Sequence, residues 1–283
     1  MSIINEAMAP CTKCGQQHKV TVYRSINVSE NPELKDKVRD GSLFLWECPH
    51  CGQMNLAKYE TLYHDPATRL MVWLIPAGEI SETQMKAITM HTKAMGGYTL
   101  RRVNDMGSLM EKVLIHDAGL DDVVIEMVKY VTKLEMVQKS IGQDKKDEFL
   151  ASAFHFYRSE GETEERLLTF MYPFEGQMMG VNVGWNVYQD CSGILERNPQ
   201  IRPAEGFEKI DADWLSSKLA LSVSRKDSFK KDGARGLLSY HEDKWVIGVE
   251  IDNLVLGLIS SSSFQINNSY RTCLCSPFSY RNS

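Results

Sequence analysis

This sequence lacks any apolar run long enough to cross a bilayer. Its greasiest stretch, Trp245 to Ser261, is broken by Glu250, Asp252 and Asn253, and each charge at mid-bilayer costs about 2.5–3.5 kcal/mol on insertion scales. The opening Met-Ser-Ile-Ile-Asn-Glu has no basic start followed by an apolar stretch, so no secretory signal is visible. The expectation is a soluble, cytoplasmic chain. Also missing are a phosphate-cradling glycine loop with its lysine and a Gly-x-Ser-x-Gly elbow. No segment is strongly basic. Residues 1–104 carry 12 basic and 10 acidic side chains, 105–221 carry 12 and 21, and 222–283 carry 8 and 6. What is present, 43% hydrophobic and 24% charged residues over 283 positions, is an ordinary globular composition with room for one large or two small domains.

Four of the seven cysteines form a pattern. Cys11-Thr-Lys-Cys14-Gly15 and Cys48-Pro-His-Cys51-Gly52 are two Cys-x-x-Cys-Gly units. A two-residue gap lets both thiolates of one turn face a point about 2.3 Å away, as tetrahedral zinc requires. The glycine after each second cysteine suits a turn position of positive φ, where a side chain would clash. Two such turns supply two ligands each and close the shell. Paired disulfides are disfavoured because nothing indicates an oxidising compartment, and a thioredoxin-like motif accounts for one unit only. An iron–sulfur cluster takes the same four thiolates, and counting does not separate it from zinc. Four cysteine ligands leave no position for water or substrate, which marks a structural ion. His18 and His50 stand near the ligands but read as turn or surface residues. Cys191 reads as a buried small residue, and Cys273 and Cys275 are too close together for a knuckle.

The pattern along the chain predicts an α+β protein. Lys19 to Val28 alternates as a strand, and Asn31-Pro32 reads as a cap and first helical position for a short helix ending before Gly41. Leu43–Glu47 leads into the second cysteine pair. Asn55–Tyr63 and Leu70–Ile75 read as a hairpin turned at Asp65-Pro66. Ser81-x-x-Gln84 and Ser108-x-x-Glu111 are capping-box signatures, and Asp121–Ile141 carries Val124, Val128, Val131 and Leu134 at helical spacing. Phe149–Tyr157, Arg166–Tyr172 and Met178–Val183 predict a three-stranded meander with Gly176, Gly180 and Gly184 at tight turns. Helices are expected over Asp190–Arg197 and Asp211–Leu221. The expected organisation is an expanded zinc ribbon with an inserted helix over 1–104, a helical connector over 105–145, a small β-meander and helix unit over 146–221, and a C-terminal extension of unassigned structure over 222–283.

At this point the sequence resembles the CpXC family, named for paired Cys-Pro-x-Cys motifs in bacterial and archaeal proteins. Besides the two cysteine units, the matching residues are Asn27-Val28-Ser29, Asn31-Pro32-Glu33-Leu34, Asp40-Gly41-Ser42-Leu43-Phe44 and Leu62-Tyr63-His64-Asp65. The likeness is specific from about residue 8 to 104, looser to Ile210-Asp211-Ala212-Asp213-Trp214, and ends by Leu221. One departure is Thr12, which stands where the family name places proline. The resemblance implies a zinc-binding domain at Cys11, Cys14, Cys48 and Cys51, and no reaction.

Three function classes compete for these residues. An enzyme needs a constellation away from the closed metal shell, and the residues on offer are His64-Asp65, His116-Asp117, His91 and His155. Both aspartates sit in turn contexts, and no positioned set is visible, so no catalytic residue is expected. A nucleic-acid reader needs basic side chains on one face. Lys35, Lys37 and Arg39 are interleaved with Asp36 and Asp40, and Arg101-Arg102 is a small cluster. The formal +2 of residues 1–104 falls to about zero once four cysteines ionise around a divalent ion. A protein-interaction or scaffolding module is therefore favoured over nucleic-acid binding, with an enzyme least favoured.

Overall fold

A computed structural model describes residues 2–76, 83, 88, 90, 96–139, 141–162, 165–224, 238–241, 244–247, 258–260 and 264–265. Among them the protein is a mixed α+β chain with four sheets and six α-helices. No described helix is long and apolar enough to cross a membrane. The chain divides into two compact units. One runs to Asp117 and takes in 204–209; the other holds 118–203 and resumes at Ile210.

The first unit contains β1 (Ile3–Pro10), β2 (Gln17–Asn27), α1 (Glu33–Arg39), β3 (Leu45–Glu47), β4 (Met54–Leu56), β5 (Thr61–Asp65), β6 (Leu70–Leu74), β7 (Thr99–Val103) and α2 (Met106–Asp117). Its main sheet runs in the order β1-β2-β5-β6-β7. The alternation of β2 buries Val20, Val22 and Ile26 and leaves Thr21 and Arg24 in water, as a strand with one covered face requires. One core packs Ile26, Tyr63, Val72 and Val103 with Leu34 and Val38 of α1 and Leu109 and Val113 of α2. Across the sheet, Met71 and Leu100 meet Phe207, where Glu208 bridges to Arg101 of β7.

Several boundaries differ from the expectation, each for a local reason. The segment before the second cysteine pair turns once as a 3₁₀ helix, Ser42–Phe44, burying Leu43 and Phe44, so strand β3 starts only at Leu45. The single strand expected over Asn55–Tyr63 is two: β4 pairs with β3 in its own ribbon, and β5 joins the main sheet beside β2 and β6. Asn31 does not cap α1 with its side chain, which instead donates to Glu33. Helix α2 opens at Asp105, whose carboxylate accepts from Ser108 N at 2.8 Å and Ser108 Oγ at 2.7 Å. The Ser108 box therefore starts within the first turn, at the third helical residue. The box at Ser81 falls outside the described residues.

The second unit starts with α3 (Asp122–Lys139) and α4 (Lys146–Ala151), followed by β8 (His155–Glu160), β9 (Leu167–Phe174) and β10 (Gln177–Gly184), then α5 (Trp185–Arg197) and α6 (Ala212–Ser224). The helical stretch expected over 105–145 thus comprises α2 in one unit and α3 in the other. The three strands form the predicted antiparallel meander. Glu175 and Gly176, both of positive φ, make its tight turn, whereas Gly180 lies within β10. Phe149, expected in a strand, sits on α4 and meets Tyr172 and Phe174 edge-on. Helix α3 is buried on nearly every side rather than along one stripe; Glu126 and Lys129 are covered as a 2.8 Å ion pair. Asp211 opens α6 by accepting from Trp214 N. Beyond it, β11 (Leu238–His241), β12 (Lys244–Ile247) and β13 (Leu258–Ser260) form a sheet, and β14 (Phe264–Gln265) pairs with β10 at Asn182 and Val183.

Candidate metal centre

Each cysteine pair sits in the turn at the end of a two-stranded ribbon, the first between β1 and β2, the second between β3 and β4. The two turns have the same backbone. Gly15 N donates to Cys11 O and Cys11 N to Gln16 O, both at 2.9 Å. Gly52 N donates to Cys48 O at 2.9 Å and Cys48 N to Gln53 O at 2.8 Å. Gly15 and Gly52 adopt φ of 72° and 67°, the left-handed conformation that costs an L side chain about 1–2 kcal/mol. Chain reversal then points both sulfurs of each turn the same way.

The four sulfurs converge. The Sγ atoms of Cys11, Cys14, Cys48 and Cys51 all lie within 4.8 Å of one another. Cys11 and Cys51 are 3.6 Å apart, and Cys14 and Cys48 3.7 Å. A disulfide needs about 2.05 Å, so these are free thiols. An ion held tetrahedrally about 2.3 Å from each of four sulfurs separates them by roughly 3.8 Å. The donor set therefore fits one metal ion, and it is the one group of this kind among the described residues.

The thiols are electrostatically coupled. Burial opposes ionisation of Cys11, but the N–H groups of Cys14 and Lys13, the Asn55 amide and the Cys51 thiol outweigh it and hold Cys11 down at about 6. The Gln53 N–H favours the thiolate of Cys51, yet burial and the sulfurs of Cys11, Cys48 and Cys14 push it up to about 12. Four adjacent thiolates need a cation between them.

Two side chains reach the sulfurs from outside. Asn55, 3% exposed, donates Nδ2 to Cys11 Sγ at 3.6 Å and to Gln53 O at 2.8 Å. Its Oδ1 accepts from Thr12 N and Thr12 Oγ1 at 2.9 and 2.8 Å. His18 Nε2 lies 3.3 Å from Cys48 Sγ, its ring tilted against Trp46. Thr12, the departure from the Cys-Pro-x-Cys pattern, supplies an N–H and a hydroxyl that proline lacks. His50 is exposed in the second turn. Sequence reading missed Asn55 and Thr12; the available signal was that both cysteine units continue as Cys-x-x-Cys-Gly-Gln.

The other candidates go elsewhere. Cys191 is a buried thiol whose pKa burial raises. Cys273, Cys275 and His91 lie outside the described residues. Asp65 and Asp117 both hold Lys35, at 2.9 and 2.7 Å, and Arg39 contacts Asp117 at 3.6 Å and Asp36 at 3.4 Å. His116 donates to Thr68 O at 2.7 Å, and His64 meets Tyr98 Oη at 3.1 Å. The aspartates of the two His-Asp dipeptides thus meet around one lysine, and their histidines go to other partners. His155 lies on β8, in the other unit. Arg101 is buried, with Nη1 donating to Leu100 O, Arg102 is half-buried, and Lys37 is exposed.

Residues 9–129 match the family model of the CpXC protein. No curated protein and no solved structure matches the chain.

Proposed function

With the CpXC match over residues 9–129 as premise, we propose that the four cysteines hold one structural zinc ion. The β1–β2 and β3–β4 ribbons then form an expanded zinc ribbon, a protein-interaction or scaffolding module with no chemistry at the metal. The observation that carries this reading is the donor set: four sulfurs spaced for a single tetrahedral ion, with every ligand position filled by the chain. In a multi-iron cluster the cysteines ligate different irons, so sulfurs in mutual contact favour a single ion. Thiolate softness and tetrahedral geometry then favour zinc over the oxygen-seeking divalent ions.

Partner recognition by protein is supported by β1. Among the described strands it is an edge of the main sheet, and it exposes Ile3, Ile4 and Met8 by more than half. Such an edge offers backbone groups and apolar side chains to an added strand. Nucleic-acid binding is not favoured, since Lys35 and Arg39 are engaged by carboxylates. The test compares the intact chain with Ile4→Lys/Met8→Lys and Cys48→Ser forms in capture from native lysate, alongside fluorescence anisotropy with mixed-sequence DNA and RNA at two salt concentrations. A protein captured by the intact chain and lost from both variants, with nucleic-acid binding at micromolar affinity or weaker, is the expected result. Nanomolar nucleic-acid binding with a steep salt slope overturns it.

A further inference from the structure

The two cysteine units are repeats over eight positions: Cys11-Thr-Lys-Cys-Gly-Gln-Gln-His18 and Cys48-Pro-His-Cys-Gly-Gln-Met-Asn55. The eighth position of each is the residue that reaches a sulfur, and it reaches across. His18 follows the first pair and contacts Cys48 of the second; Asn55 follows the second pair and contacts Cys11 of the first. Both targets are the leading cysteine of their unit, and both are buried, at 2% and 1% exposure. The second position of the first unit matches what faces it. Asn55 presents an oxygen, and Thr12 meets it with two donors. At the equivalent position of the second unit stands Pro49, which has no N–H.

We infer that His18 and Asn55 are reciprocal positioning residues of the metal centre, each donating an N–H from one ribbon to the leading sulfur of the other. The inference rests on the four cysteines being ligands of one ion. A metal-bound thiolate only accepts, so the His18 tautomer it selects carries its proton on Nε2. The two N–H···S contacts tie the ribbons together at the level of the ion and withdraw electron density from two of its four ligands. Outer partners of this kind typically change metal affinity by about 10–100-fold.

The experiment uses the full chain loaded with Zn²⁺ or Co²⁺. Zinc release is timed with a chromogenic chelator in excess, and the thiolate-to-cobalt charge-transfer band is recorded. Asn55→Asp keeps the oxygen facing Thr12 and removes the donor to Cys11. His18→Phe keeps a ring against Trp46 and removes the donor to Cys48, while His18→Gln restores an N–H at similar reach. Expected are zinc release accelerated about 10-fold or more in Asn55→Asp and His18→Phe, a charge-transfer band moved to lower energy in both, and near-parental behaviour of His18→Gln. His18 is half-buried, so its variants decide the matter even where Asn55→Asp fails to fold. Release and spectra unchanged in His18→Phe, or His18→Gln as fast as His18→Phe, overturn the inference while leaving the metal centre standing. A parental chain that binds neither ion overturns both.

Discussion

Lys35 is the residue on which Asp65 and Asp117 of the two His-Asp dipeptides converge, and it shows how spacing hides a contact. Burial pushes its ammonium down, but Asp117 and Asp65 outweigh that and raise it above the usual lysine value. Burial pushes the Asp65 carboxyl up, and the Lys35 ammonium with the Thr68 N–H outweighs it, leaving Asp65 below the usual carboxylate range. The depressed aspartate stabilises the fold above its unfolded pKa, near 3.9, and this is lost as pH falls through the lower folded value. The raised lysine stabilises the fold below its unfolded pKa, near 10.4, and this is lost as pH rises through the higher folded value. Asp65→Asn leaves Lys35 with Asp117 alone and should cost about 2–4 kcal/mol near neutral pH, between the values for exposed and buried pairs. Urea unfolding of parent and variant between pH 3 and 7 checks this; the gap should narrow towards the acid end. A pH-independent gap contradicts the assignment. None of this was legible in the sequence, where 30 residues separate Lys35 from Asp65 and more than 80 separate it from Asp117. The four cysteines were legible because each pair is local and the two pairs repeat. Asn55 was not singled out, since a lone asparagine within a strand carries no signal until its partner at Thr12 is known.

At the scale of elements, the sequence was readable where one pattern acted alone. The alternation of β2, the meander strands β9 and β10 and the helical spacing of α3 all appear close to where the pattern put them, whereas the strand expected over Phe149–Tyr157 starts only at His155, its first residues lying on and after α4. Boundaries failed where two local rules competed. Ser108-x-x-Glu111 satisfies the capping-box pattern, but Asp105 lies three residues earlier and takes both the N–H and the hydroxyl of Ser108. Asp105→Ala should therefore destabilise the chain by about 1 kcal/mol, the usual worth of a helix cap. Ser108→Ala, which keeps the N–H bond to Asp105, should cost less than half of that. Chemical denaturation of the two variants orders them, and a larger loss from Ser108→Ala would restore the box. The stripe expected on α3 widened to most of its circumference because its charged residues are themselves covered, with Lys133 donating to the carbonyls of Leu150 and Ser152 and held down at about 8 by burial.

The whole molecule is two units, and the composition shift at Leu221 that suggests a dispensable tail does not coincide with the end of pairing. β14 extends the meander sheet at the edge of β10, a connection no local pattern announces because its partner lies some 80 residues away. A chain ending after Leu221 should melt several degrees below the intact protein, or aggregate, when scanned by calorimetry. An unchanged transition would return the tail to the status of an appendage. On the proposed reading, the two cysteine turns of the first unit are held by the metal ion. The two ribbons are thin on their own, and a structural zinc ion contributes on the order of 10–16 kcal/mol of apparent binding energy in small domains. That is enough to decide whether the turns at Cys11–Gly15 and Cys48–Gly52 stay together. One zinc ion is proposed to do this. Native mass spectrometry with elemental analysis of the purified chain tests it most directly, with Cys14→Ser and Cys51→Ser alongside. Close to one zinc per parental chain, and none retained by either variant, is the expected result; a chain free of zinc, or one carrying iron with thiolate-to-iron absorbance, rules it out.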